Sequence, residues 1–147
     1  MSPSLEETII LATQLHIGQK DKAGAPYILH SLRVMLDPTL SSEEERIVAV
    51  LHDVVEDCDI TLEQLHEFGY GNNIIEALSF VTKLHEEKKD YDAFIRRVSR
   101  GPLTARKVKL ADLKDNENLS RITQPGERDI KRQQKYRHAI KILESTI

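Results

Sequence analysis

In the stretch 50–59, VLHDVVEDCD, His52 and Asp53 stand side by side, and Glu56 and Asp57 follow one helical turn later, all within an apolar run. Residues four apart share a helix face, so His52 is expected above Glu56 and Asp53 above Asp57. Val48, Val50, Leu51, Val54 and Val55 would form the other side. Placing titratable groups at the edge of a core is costly unless something compensates them. A divalent cation does so, because it takes such ligands and inverts the local charge balance. A solvated stripe would explain Glu56 and Asp57 alone, but it suits a His-Asp dyad with apolar neighbours poorly. Two further residues fit the same chemistry. His30 follows PYIL among Ile28, Leu29 and Leu32, and Asp112 lies in VKLADLKDN. Singly, these are more often a hydrogen-bonded core histidine and a surface charge. Together with His52 and Asp53 they make two imidazoles and two carboxylates from three helices, enough for one divalent ion with positions left for water. Nitrogen and oxygen ligands without thiolate suit Mn²⁺ or another first-row metal better than a structural zinc.

The elements that must position these residues read as helices almost throughout. Ser4 with Glu6 and Glu7 opens a first helix that carries Ile9, Ile10, Ala12, Leu15 and His16 toward Gly18. Pro26 suits the first turn of a second, which holds Tyr27, Ile28, Leu32, Val34 and Leu36 until Asp37-Pro38 stops it. Ser41 with Glu44 reads as a capping box before ERIVAVLHDVVED, and Thr61 with Gln64 as another before LEQLHEF, which Gly69 closes. Apolar periods over 74–81, 91–98 and 108–113 mark three more helices. After Pro125-Gly126, a last helix is expected to place Ile130, Tyr136, Ile140 and Leu143 on one face. No strand pattern or internal repeat appears, and the connections are short. The expectation is a single all-α domain over 1–147, a compact bundle of about six to eight helices.

Composition narrows the function classes. A hydrophobic fraction of 39% with 31% charged residues describes an ordinary globular chain, and 147 residues suffice for one core. A net charge of −3 without interleaved basic and aromatic residues gives no case for nucleic acid. The single cysteine, Cys58, excludes an internal disulfide framework and a cysteine zinc site. No apolar run approaches the ~20 residues of a membrane span. The start, MSPSLEETII, lacks the basic and apolar regions of a signal peptide. A cytoplasmic protein is expected, with no membrane partner. The charged, apolar-striped last helix leaves a homo-oligomer open.

The order H…HD…D is the signature of the HD superfamily of metal-dependent phosphohydrolases. Beyond it, GQKDKAGAPYILH, VLHDVVEDCDITLEQL, the FG pair, EALSFVTK and KVKLADLKDN resemble the hydrolase domain of the RelA/SpoT alarmone family, in the family's order over about residues 8–120. The family's first segment runs approximately G-Q-x-R-K-x-G-x-P-Y-I-x-H and its second L-H-D-x-x-E-D-T. With no synthetase region following, the chain is similar to the free-standing small alarmone hydrolases. The resemblance implies that His30, His52, Asp53 and Asp112 bind a metal taken to be Mn²⁺. It also makes Glu56 and Asp57 the catalytic acidic pair, Glu56 moving a proton and Asp57 orienting the water. The implied reaction releases pyrophosphate from the 3′ position of (p)ppGpp or a related nucleotide. Lys20, Lys22 and Lys109, with Lys107, are the available phosphate-binding cations, although solvated lysine is the plainer reading of any one of them. Asn116 occupies the family's polar position and could contact the nucleotide.

Three departures bear on substrate rather than on mechanism. Asp21 stands where the family has the Arg that packs on guanine, and an Asp cannot stack there. The family's R-x-H-N after the metal Asp is here Leu113, Lys114, Asp115, Asn116. Cys58 replaces the usual Thr. A phosphatase or phosphodiesterase of the same superfamily acting on another nucleotide is the neighbouring reading. A two-metal version of it would need histidines such as His66 and His85, but neither sits in a fitting motif. His16 and His138 read as helix-surface or packing residues. A non-catalytic module that binds nucleotide or protein is the alternative from another class, and retention of both Glu56 and Asp57 argues against it.

Overall fold

Side-chain caps decide where the helices begin in the computed structural model, which describes residues 1–147. Ser4 Oγ accepts from the Glu7 amide at 3.1 Å while Glu7 Oε1 accepts from the Ser4 amide at 3.0 Å, and α1 (Leu5–Leu15) follows. Such reciprocal bonds satisfy donors that the first helical turn leaves unpaired. α2 (Ile28–Met35), α3 (Glu43–Leu51) and the single turn α4 (Val54–Asp57) come next. Thr61 and Gln64 form the expected box ahead of α5 (Leu62–Glu67), and Gly69, at φ +106°, takes the left-handed conformation that ends it. α6 (Asn72–Val81) leads into a 3₁₀ turn (His85–Glu87), then α7 (Tyr91–Ser99), α8 (Leu103–Glu117) and α9 (Glu127–Glu144). No strand forms, and one isolated bridge between Lys20 and Pro26 closes the loop before α2. The all-α expectation holds, with eight helices when α4 is taken together with α3. No helix is long and apolar enough to cross a membrane.

Three local expectations need correction. The box before α3 is Ser42 with Glu45, not Ser41 with Glu44. Either pair has the right spacing. Glu45 prevails because its buried carboxylate also accepts from the Ser41 amide at 2.8 Å and pairs with Lys107 of α8. The helix drawn through VLHDVVED is interrupted: α3 ends at Leu51, and Asp53, at φ −104° and ψ −4°, leads into α4. On α9 the buried residues are Ala139 and Leu143, with Tyr136 half-buried, whereas Ile130 is exposed.

Two apolar clusters hold the bundle. The larger centres on α3, whose residues 47–51 are all buried against α1, α2, α6 and α8. The smaller joins Phe94, Ile95 and Val98 of α7 to Leu110 and Leu113 of α8 and to Ala139 and Leu143 of α9. Val108 and Ala111 of α8 belong to the first cluster, and Leu110 and Leu113 to the second. Every residue from 108 to 113 is therefore buried, Lys109 and Asp112 included. A helix enclosed on all sides has no outward polar stripe, so polar residues in it must be paired.

Candidate metal centre and nucleotide pocket

Adjacent residues on a regular α-helix do not face one another, yet His52 Nε2 lies 3.0 Å from Asp53 Oδ2. The interruption between α3 and α4 makes this convergence. Across it, α2 contributes His30, whose Nε2 is 3.3 Å from His52 Nε2 and 3.6 Å from Asp53 Oδ2. From α8, Asp112 Oδ1 lies 3.0 Å from His30 Nε2 and 3.2 Å from His52 Nε2. One ligand atom from each of the four residues falls within 4.8 Å of all the others, and His30, His52 and Asp112 are no more than 3% exposed.

The outward-facing atoms show what these four can hold. His52 Nδ1 donates to the Ala49 carbonyl at 2.6 Å, and His30 Nδ1 donates to Asp115 Oδ2 at 2.6 Å. With the ring protons on Nδ1, both Nε2 lone pairs point inward at two carboxylate oxygens. In that neutral form, which binding a cation requires, four ligand atoms converge on one point. The spacings suit bonds of about 2.1 Å from nitrogen and oxygen to one ion. The residues therefore form a His/Asp site that fits a divalent cation. Protons respond to the same field. Burial disfavours a charge on His52, but Asp53 and Asp112 outweigh it and hold its pKa well above the ordinary value.

Outer partners fix each ligand, as they commonly do around metals. Lys109 Nζ donates to Asp112 Oδ2 at 2.7 Å and Asn116 Nδ2 to Asp112 Oδ1 at 2.9 Å. The Tyr27 hydroxyl donates to Asp53 Oδ2. Burial works against a charged Asp112, but Lys109 and His52 overcome it and keep the carboxyl well below its usual range. Tyr27 escaped sequence reasoning, although its place in P-Y-I-L-H is a signal that could have found it.

Glu56 and Asp57 lie on α4 just outside this group and are exposed. The Lys83 amide donates to Glu56 Oε1. Partial burial, with Asp53 and Glu56 as neighbouring charges, pushes the Asp57 carboxyl up to about 6. Gln19 Nε2 donates to the Asp57 carbonyl at 3.0 Å, and its Oε1 lies 2.8 Å from Nδ1 of His16, which is buried rather than at the surface. Both carboxylates edge a hollow of about 380 Å³ with Lys83, His85 and Lys88. His85 is at that edge, but neither it nor His66 joins the four-residue group.

On the other side of His30 lies a pocket of about 360 Å³, within the usual size of small-molecule sites. Lys20, Lys22 and Asn116 line it as expected; Lys109 does not, being buried on Asp112. Lys107 is bound to Glu45 instead. Sequence reasoning missed Arg33, Arg121 and Arg132 of this lining and read Tyr136 only as part of an apolar stripe, since none carries a motif that points to a ligand. Lys20, Lys22, Arg33, Arg121 and Arg132 outnumber Asp21, Asp115 and Asp129 in the lining, so the pocket carries a net positive charge. Asp21 turns inward on its own loop, where Oδ1 accepts from the Ala23 and Ala25 amides, each at 2.9 Å.

A solved structure described as a metazoan ortholog of SpoT that hydrolyzes ppGpp superposes with a TM-score of 0.79 over 99% of this chain and 87% of that one, at 24% identity. The two chains share one fold. Guanosine-3′,5′-bis(diphosphate) 3′-pyrophosphohydrolases from Vibrio cholerae and Aquifex aeolicus are 35% and 34% identical, over 58% and 71% of the chain. A probable enzyme of the same name from Synechocystis is 44% identical over half of it. The chain spans only 10–16% of the length of these relatives. No protein-family model matches it. Within this fold, the departures at Asp21 and Asp115 both fall on the pocket beside His30, and Cys58 falls beside Asp57, where its Sγ is 3.5 Å from Gln19 Nε2.

Proposed function

We propose that this chain is a Mn²⁺-dependent hydrolase that releases pyrophosphate from the 3′ position of (p)ppGpp or a closely related nucleotide. The observation that carries the reading is the convergence of one ligand atom from each of His30, His52, Asp53 and Asp112 within 4.8 Å, with both Nδ1 atoms engaged outside the group. The names of the relatives supply the substrate. A divalent cation held there would bring the pKa of a coordinated water down toward ~7. Asp57, its carboxyl raised to about 6 yet still ionised at neutral pH, takes the proton from the attacking water. Glu56, fixed by the Lys83 amide, orients that water. This division of labour reverses the one implied by resemblance alone. The nucleoside occupies the pocket between Lys22, Tyr27 and Tyr136. Lys83, His85 and Lys88 neutralise the pyrophosphate as its P–O bond to the 3′ oxygen breaks, and the proton held by Asp57 passes to that oxygen.

The test is a panel of ppGpp, pppGpp, other 3′-phosphorylated nucleotides and nucleoside monophosphates, with Mn²⁺ titrated against a chelator. Chelator-sensitive release of pyrophosphate is expected from the guanosine 3′-diphosphates. Binding without turnover of any member would leave a nucleotide-binding module and defeat the enzymatic reading.

A further inference from the structure

From the geometry we infer that Asp115 is a positioning residue for the metal centre, setting the tautomer and basicity of His30. The inference rests on the metal-binding part of the reading above, not on the substrate. His30 and Arg33 are three apart on α2, as Asp112 and Asp115 are on α8, so each pair shares a helix face. The two faces meet in register. The His30 ring lies between both carboxylates, its Nε2 3.0 Å from Asp112 Oδ1 and its Nδ1 2.6 Å from Asp115 Oδ2. One nitrogen turns toward the ligand group, and the other is held by an anion that accepts only.

The carboxylate is itself braced. Arg33 Nε donates to Asp115 Oδ1 at 2.8 Å, and Arg33 Nη2 to Oδ2 at 3.1 Å. Arg121 Nη2 donates to the Asp115 carbonyl at 2.9 Å and lies 3.4 Å from Oδ2. With its side chain only 12% exposed, Asp115 has little freedom to rotate away. A forked guanidinium holds a carboxylate in a defined plane. A carboxylate behind a ligating imidazole fixes its ring and makes it a stronger donor to a metal. Arg33, Arg121 and Asp115 also line the nucleotide pocket. The two guanidinium groups therefore keep the Asp115 charge from repelling an anionic ligand. A histidine at this position, as in the resembling family, would supply no comparable anion.

The experiment measures Mn²⁺ affinity by calorimetry for the parent protein, Asp115→Ala and Asp115→Asn, with the His30 tautomer of the metal-free proteins read by ¹⁵N NMR. Asp115→Ala should weaken binding by about 10- to 100-fold and move part of the His30 proton from Nδ1 to Nε2. Asp115→Asn keeps a carbonyl acceptor, so it should retain the tautomer and lose affinity by an intermediate factor. A folded Asp115→Ala protein with affinity within about twofold of the parent and an unmoved tautomer would overturn the inference, since a purely architectural ion pair alters melting temperature alone. Should Asp115→Ala not fold, an unchanged affinity in Asp115→Asn overturns it equally. Both readouts are taken without substrate. Metal binding that depends on Asp115 in a protein that cleaves no nucleotide would count against the proposed activity only.

Discussion

Each histidine of the four-residue group has one nitrogen committed to an acceptor outside it, Ala49 for His52 and Asp115 for His30. An Ala substitution at either histidine would therefore remove one member of the group together with a buried hydrogen bond that holds it. Glu56 is the opposite case, an exposed group whose bonding partner is a backbone amide. Replacing it by Gln is therefore expected to leave metal content unchanged and to lower turnover about 10²-fold or more. Elemental analysis beside a pyrophosphate-release assay checks this, and loss of metal in Glu56→Gln would contradict the role assigned. The four converging residues were legible in the sequence because two imidazoles and two carboxylates set among Ile, Leu and Val are costly together unless something compensates them. Lys109 was legible only as a cation. That it faces Asp112 rather than a phosphate follows from how α8 is enclosed, which its spacing does not encode.

Between elements, Glu45 at the start of α3 is tied to Lys107 of α8, away from the site. Burial opposes a charge on Glu45, but Lys107 and the Ser41 and Ser42 amides outweigh it and hold the carboxyl down to about 2, against an ordinary 4.5. A carboxyl depressed on folding contributes stability that is fully present above its unfolded pKa and is lost as pH falls through the folded one. The contribution should therefore fade between about 4.5 and about 2. Glu45→Gln is expected to cost about 1–2 kcal/mol at neutral pH and progressively less in acid. Denaturant melts of both proteins across that range check it, and a difference independent of pH would contradict it. The same residues explain a misreading at the element scale. Ser41/Glu44 and Ser42/Glu45 are equivalent as local patterns, and only the buried contact with Lys107 separates them. Likewise the periodicity of VLHDVVED favours one unbroken helix. The interruption after Leu51 falls where the sequence has no Gly or Pro to break a helix, so local pattern does not announce it.

At the scale of the whole molecule, the ligands come from α2, the α3–α4 junction and α8, so an ion bound there ties together helices distant in sequence. A ligand that binds only the folded state stabilises it by mass action. Free Mn²⁺ at a hundred times its dissociation constant is worth about 2.7 kcal/mol, roughly 5–11 °C in melting temperature for a chain of this size. Scanning calorimetry with Mn²⁺ and then with chelator checks this. A His52→Ala protein should show no such rise, and an equal rise there would place the ion elsewhere. Sequence alone determined the helical class, most helix starts and the identity of the four converging residues. Those follow from side-chain types and spacings acting over one or two turns. Tertiary structure alone decided the interruption that turns His52 and Asp53 together, the pairing of Lys109 with Asp112, the inward turn of Asp21 and the braced Asp115 behind His30. In each of these, the partner that settles the geometry is set by long-range packing or backbone folding, which local periodicity does not carry.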